Sequence, residues 1–303
     1  MQSQSKPDTG GCALCGSTRA RELYTAKDHL GNSDEEFSIS ACLGCGVLRT
    51  LPAMSDAELS RYYPDDYWGE ENVPSQKWIE SSQSEKTRFL SRCGLAGGTI
   101  LDVGCGAGFF LRALDPENWK RYGVEIGEQG SRAATNALGV GRVFTGTLIE
   151  SKRDNEAFDV VTFWSSLEHT NEPRENLIET RRILKRGGTV IVQVPNTASY
   201  QALLFGGDWS ALDAPRHRYH FTPQTLGGLL AETGFKVYRR TLFSESHNAH
   251  ALRQSLKAKL YGNGSTIVGR PLFLLSVPFI RPFDWLMTAL GEGATITVAA
   301  QAV

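Results

Sequence analysis

Chemistry in this chain concentrates in a glycine loop, a set of four cysteines and two histidine-bearing runs. Thr99 to Phe110 reads TILDVGCGAGFF: an apolar run ends in Asp102, breaks into Gly104, Gly106 and Gly108, and passes into an apolar segment reaching Leu114. That order is strand, tight glycine loop, helix, the first half of a nucleotide-binding α/β unit. Glycine suits the loop because it accepts positive φ and lets a ligand lie against bare backbone. Cys12-Ala-Leu-Cys15-Gly16 and Cys42-Leu-Gly-Cys45-Gly46 form two matched CxxCG knuckles with 26 residues between Cys15 and Cys42. This is the spacing of a structural zinc ribbon, in which Cys12, Cys15, Cys42 and Cys45 offer four thiolates and the metal folds a segment with little core of its own. A redox dithiol or an iron-sulfur site explains the matched pair less simply. The histidines stand in Leu167-Glu168-His169 and in Asp213-Ala-Pro-Arg216-His217-Arg218-Tyr-His220.

Two ligand classes compete for the glycine loop. A dinucleotide loop of the G-x-G-x-x-G type wants its third glycine at position 109, where this chain has Phe109. Asp102 sets a carboxylate where a pyrophosphate would approach, so charge repulsion favours a ligand with a cationic end. Glu125 follows Gly104 by 21 residues at the end of the next apolar run, where an acid can accept hydrogen bonds from ribose hydroxyls. S-adenosylmethionine (SAM), with an ammonium, a sulfonium and no phosphate, has the matching character.

These residues need elements to hold them. Ser55-Asp-Ala-Glu58 has the form of a capping box opening a short helix toward Tyr62-Tyr63, and the polar stretch 75–92 carries Trp78, Ile79, Phe89 and Leu90 at amphipathic helical spacing. The aromatic cluster Tyr62, Tyr63, Tyr67 and Trp68 reads as an anchor between the ribbon and the core. From Thr99 onward strands and helices alternate: strands at 121–126, 142–145, 158–164 and 189–194, helices at 132–138 and from Pro173 to the Gly187-Gly188 pair. A helix opened by Thr222-Pro223 and closed by Gly234, a strand over 235–242 and a last strand over 294–300 complete the pattern. Alternation of this kind predicts a parallel, doubly wound sheet.

On these residues the chain resembles a class I SAM-dependent methyltransferase: Asp102-Val-Gly-Cys-Gly-Ala-Gly108 fits the family's glycine motif, Glu125 its ribose-binding acid, and Phe158 to Trp164 followed by Leu167-Glu168-His169 its fourth-strand motif. Leu184-Lys-Arg-Gly-Gly188 matches the turn before its fifth strand. The resemblance implies a Rossmann-like seven-stranded sheet with the last strand antiparallel, here joined to a small N-terminal zinc ribbon and a helical C-terminal cap. It implies cofactor contacts from Asp102, Gly104, Cys105, Gly106 and Gly108, then Glu125 and Ile126, and finally Thr147, Leu148, Trp164 and Ser165. One departure stands out, since Gly146-Thr147-Leu148 replaces the acid that many members carry near the adenine amino group. The ribbon together with the Asp213 to Pro223 run resembles a bacterial group that modifies glycans, lipids or secondary metabolites.

Methyl transfer from a sulfonium is mostly positioning, with a general base needed when an acceptor hydroxyl must lose a proton. His169, His217 and His220 are the candidate bases, and Arg216, Arg218 and Trp209, with Asp208 and Asp213, the candidate wall for an anionic acceptor. His29, His247 and His250 carry no supporting pattern. Along the chain, the expected units are a ribbon over 1–54, a helical connector over 55–98, the SAM-binding core over 99–245, the cap over 246–290 and the final strand over 291–303.

Composition bounds the partners. With 41% hydrophobic and 21% charged residues and a net charge of −1, the chain reads as an ordinary globular protein with no global drive toward nucleic acid. A polar N-terminus without an apolar signal core predicts a cytoplasmic location, where thiols stay reduced. The segment 271–290 is long and apolar, but Pro271, Pro278, Pro282, Arg281 and Asp284 interrupt it, so it reads as a buried cap, with peripheral membrane contact as the second reading. The leading expectation is a SAM-dependent methyltransferase acting on a small, glycan or lipid-linked acceptor, most simply at oxygen. Its alternatives are an RNA methyltransferase that uses the ribbon to hold substrate and a catalytically silent SAM-binding protein.

Overall fold

The computed structural model describes residues 11–28, 35–63, 75–244, 247–261 and 269–303, with side chains omitted for 261 and 269–273. Tyr67, Trp68 and His29 lie outside the described residues. Two sheets organise the rest. The larger has seven strands: β4 (Gly98–Val103), β5 (Trp119–Glu125), β6 (Val143–Thr145), β7 (Phe158–Trp164), β8 (Leu184–Pro195), β10 (Phe235–Thr241) and β11 (Thr295–Ala302), in the order β10-β11-β8-β7-β4-β5-β6. Pairs from β6 through β8 are parallel, while β11 runs antiparallel to both β8 and β10. This is the Rossmann-like sheet with one reversed strand that the motifs imply.

Period-two alternation sends neighbouring residues to opposite faces of this sheet. Leu101, Val161, Phe163, Val190 and Val192 meet Leu177 of α5 (Pro173–Ile183) and Leu226 and Leu229 of α7 (Pro223–Glu232) on one side. Ile100, Val160, Trp164 and Ile191 meet Phe89 and Leu90 of α2 (Gln76–Arg92), Phe110 and Leu111 of α3 (Phe109–Ala113) and Ala134 of α4 (Glu128–Leu138) on the other. Local signals set the helix starts. Ser75 caps α2 by accepting from the Trp78 amide, Pro173 occupies the first turn of α5, and Thr222 and Thr225 close a reciprocal capping box on α7. The Ser55–Glu58 box also forms, opening α1 (Asp56–Leu59).

One boundary differs from expectation. Helix α5 ends at Ile183, ahead of the Gly187-Gly188 pair, because fully buried Leu184 already pairs with Phe158 of β7. The glycines instead sit inside β8, where Gly187 at φ 73 absorbs the register shift between the Leu184 and Thr189 pairings.

The smaller sheet is antiparallel and orders β1 (Ala20–Lys27), β2 (Glu36–Cys42), β3 (Leu48–Leu51) and β9 (Tyr219–His220). Its fourth strand comes from the histidine run far down the chain, with Leu48 opposite His220 and Arg49 opposite Tyr219. The cysteine knuckles share apolar surface with the main sheet, since Cys12, Leu14, Cys42 and Val47 pack in one cluster with Tyr219, Phe221 and Leu226. A further cluster joins Phe37 and Ile39 of β2 to Trp209, to Tyr200 and Phe205 of α6 (Tyr200–Phe205), to Leu252 of α8 (His247–Tyr261) and to Ile280 of α9 (Gly269–Ala289). No helix among the described residues is long and apolar enough to cross a membrane.

Candidate active site

The glycine loop closes between β4 and α3. Gly104, Gly106 and Gly108 all take left-handed φ, at 75°, 53° and 76°. A Cβ on Gly104 would lie 2.6 Å from that of Ser166, whose hydroxyl donates to the Val103 carbonyl at 2.5 Å. The loop is thereby seated on the turn that follows β7, and its three glycines leave bare backbone between β4 and α3.

Glu125 ends β5 and is buried, its two oxygens accepting from the Gly106 and Gly127 amides at 2.8 Å each. Burial raises its pKa while those amides lower it. Each oxygen keeps a lone pair for a hydroxyl, which suits a ribose. Ile126 beside it is exposed, an apolar surface next to the acid. Cys105 and Leu148 are buried in the core, and Thr147 binds Glu150 through both its amide and its hydroxyl.

Asp102 is buried at the end of β4 and accepts from the Thr162 hydroxyl at 2.7 Å. Burial pushes it up to about 7, against the pull of Thr162 and of Lys86, while the Glu125 charge adds to the rise. Lys86 projects from α2 and holds its ammonium 5.5 Å above the Trp164 ring. Nothing in the sequence marks Lys86, because a lone lysine in a polar helix gives no pattern. Trp164 itself is packed edge-on against Phe89 and Phe110, and Ser165 beyond it takes φ 53° to turn the chain.

The turn Leu167–His169 follows, and the 213–220 run folds over it. His169, half-buried, packs edge-on to His217 with ring centroids 4.5 Å apart and bonds the Arg216 carbonyl through Nδ1 at 3.1 Å. His217 directs Nδ1 to the Ala211 carbonyl at 3.0 Å and Nε2 toward Glu168 at 4.0 Å and Asp213 at 3.8 Å. Buried His220 instead bonds Thr50 of β3 at 2.9 Å. Burial lowers all three, to about 3 for His169, about 4 for His217 and about 3 for His220, so each ring is neutral at pH 7. Burial drives Glu168 the other way, to about 8.

The expected anion wall has other partners. Arg216 is fully buried, donating to Asp213, to Asp28 at 2.7 Å and to the Tyr62 carbonyl at 2.8 Å. Arg218 donates to Asp56 at 2.6 Å and to the His169 carbonyl at 2.9 Å. Trp209, also fully buried, donates to Gln201 at 3.2 Å. Arg216 and Arg218 thereby tie the histidine run to the ribbon sheet and to α1, and Trp209 is held to α6, with the donors of all three engaged within the protein. A guanidinium fully removed from water needs carboxylates of its own, and Asp28 and Asp213 supply them.

The four cysteines converge, with one sulfur of each within 4.8 Å of the others, Cys12 to Cys45 at 3.8 Å and Cys15 to Cys42 at 3.5 Å. Sulfurs 2.3 Å from a central zinc stand about 3.8 Å apart, so the donor set fits that ion. Burial raises Cys12 and Cys45, while the amides of Cys45 and Gly44 outweigh burial at Cys42 and bring it to about 6. Four clustered thiols of this kind ionise together only around a cation.

Comparison with known proteins agrees with the fold. Residues 76–239, more than half of the chain, match the model of a family described as "Methyltransferase domain". The ubiquinone biosynthesis O-methyltransferase of Pseudomonas paraeruginosa (strain DSM 24068 / PA7) is 30% identical over 157 residues, covering 48% of this chain and 68% of that protein. Its counterpart from Psychrobacter cryohalolentis is 27% identical over 218 residues, covering 68% of this chain and 82% of that protein. A solved SAM-dependent methyltransferase from Archaeoglobus fulgidus superposes with a TM-score of 0.50 at 20% identity, over 75% of this chain and 94% of that one, and shares the fold. A family match over more than half of the chain, on the residues that build the glycine loop and the Rossmann-like sheet, and the similarity to named methyltransferases lead to one conclusion: the chain belongs to the methyltransferase-domain family and is a SAM-dependent methyltransferase.

Proposed function

We propose that the enzyme moves a methyl group to an oxygen of a small or carrier-linked acceptor, such as a sugar, a lipid-linked compound or a secondary metabolite. The observation that carries this reading is the Glu168, His169 and His217 cluster at the carboxyl edge of the sheet, joined to the glycine loop through the contact of Ser166 with Gly104. Ligands of open α/β sheets bind at that edge. The similarity to enzymes named O-methyltransferases supports oxygen as the acceptor atom.

In this reading SAM supplies an activated methyl, and the chain supplies position. Asp102 meets the ammonium, Lys86 the carboxylate, Glu125 the ribose hydroxyls and Ile126 the adenine face, with Gly104, Gly106 and Gly108 leaving room along the backbone. Of the residues expected to bind cofactor, Cys105, Leu148 and Trp164 act from the core behind the loop, and Thr147 and Ser165 shape the turns beside it. His169 and His217 face the acceptor as neutral rings of low basicity, so they orient it more readily than they strip a proton from it. Zinc in the four-cysteine cluster keeps β3 in place beneath the histidine run.

A carrier-linked acceptor fits the outer face of the cap. Leu275, Phe279, Trp285 and Leu290 of the α9 segment and Leu203 of α6 expose apolar surface, the kind that seats on a lipid interface. The test is transfer of labelled methyl from SAM to a fractionated bacterial extract. Label in the lipid-extractable or glycan fraction is expected; label confined to RNase-sensitive material would overturn the reading.

A further inference from the structure

Glu168 is fully buried, and it is the one carboxylate among the described residues whose two oxygens are both buried without a hydrogen-bond partner. A carboxylate in that position is costly unless a cation meets it. Two guanidiniums stand nearby, yet Arg216 is committed to Asp213 and Asp28, and Arg218 to Asp56 and two carbonyls. What faces Glu168 is imidazole: His217 Nε2 lies 4.0 Å from Oε1, and ligand atoms of Glu168, His169 and His217 all fall within 4.8 Å of one another.

Both rings are also oriented as metal ligands are. His217 gives its Nδ1 proton to the Ala211 carbonyl and His169 gives its own to that of Arg216, which leaves Nε2 as the lone-pair nitrogen in each. Backbone acceptors of this kind hold ligating histidines in one tautomer and raise their donor strength. Asp213, tied to Arg216, stands 3.8 Å from His217 Nε2 and adds negative charge behind the set.

We infer that Glu168, His169 and His217 bind a divalent first-row transition cation such as Mn2+, Fe2+ or Zn2+. Two imidazoles and one carboxylate suit these ions and leave coordination positions open, whereas Mg2+ and Ca2+ favour oxygen donors throughout. Resting on the oxygen-acceptor reading above, those open positions take oxygens of the acceptor. The cation is separate from the ribbon, whose four thiolates select zinc.

The test is a Mn2+ titration of the full chain with zinc already in the ribbon, followed by electron paramagnetic resonance. One tight Mn2+ per chain is expected, with histidine 14N couplings in its pulsed spectrum, and Glu168→Gln should weaken binding by about 100-fold. SAM affinity within about twofold of wild type shows that the variant is folded, and His217→Gln serves as a second ligand variant with the same expectation. Mn2+ held no more tightly by wild type than by these SAM-binding variants would overturn the site, as would a wild-type signal without nitrogen coupling. Because the readout is binding, it stands whether or not the acceptor proves to be an oxygen compound.

Discussion

The Thr50 hydroxyl lies 2.9 Å from His220 Nε2, joining the ribbon sheet to the histidine run across 170 residues of chain. The same hydroxyl donates to the His217 carbonyl at 2.6 Å, so its oxygen accepts from the imidazole and sets the tautomer of His220 with the proton on Nε2. Both contacts are buried. Thr50→Val keeps the shape and strands two polar groups, so it should cost about 1–3 kcal/mol of unfolding free energy. Denaturant titration would measure the loss, and Thr50→Ser should restore most of it.

Strand pairing carries the same link. Leu48 and Arg49 sit opposite His220 and Tyr219, so the strand stays in register only while the knuckles hold β3. Cys42→Ser, or removal of zinc by a chelator, should raise amide hydrogen exchange over residues 216–222 as well as over the ribbon. Unchanged protection in that peptide would show that the histidine run holds its place without the ribbon.

Cofactor binding should depend on pH through Asp102. In the free protein its pKa is near 7, raised by burial, so below that pH the carboxyl is neutral and gives an ammonium little attraction. The ligand amine, with an ordinary pKa near 8, stays mostly protonated to about pH 7.5. SAM affinity should therefore rise roughly fivefold between pH 6 and about pH 7.5, and the rise should disappear in Asp102→Asn. Calorimetry across that range gives both curves; a flat wild-type profile would remove Asp102 from the cofactor site.

Glu125 is fastened by two loop amides, and its removal acts twice. Glu125→Ala loses the ribose acceptor and frees the Gly106 amide from the carboxylate that anchors it, so SAM affinity should fall by about 10- to 100-fold, the equivalent of one or two charge-assisted hydrogen bonds. Near-wild-type affinity would refute the ribose role.

Arg216 tests the clamp. With the guanidinium fully buried between Asp28 and Asp213, Arg216→Ala removes the buried cation both acids face and should lower stability by about 3–5 kcal/mol. If Arg216 served the acceptor instead, the variant would keep its stability and lose only substrate affinity. Thermal unfolding separates the two.

Much of this was legible in the amino-acid order, because strand, loop and helix are decided by neighbours a few residues apart. The run Ile100 to Asp102, the glycines at 104, 106 and 108, the acid at 125 and the helix-opening residues at 55 and 222 each act within a turn or two of where they stand. The CxxCG knuckles were equally readable, since ligand spacing is itself local. Which charges pair was not. Arg216 looks like an anion receptor until Asp28, 188 residues away, is brought against it, and His220 looks like a base until β3 arrives to bond it. Glu168 acquires its meaning only when His217 closes to 4.0 Å while Arg216 and Arg218 pair with other acids. Sequence periodicity determines which face a side chain takes; burial and distance between remote residues, which set charge and pKa, exist only once the sheets have packed.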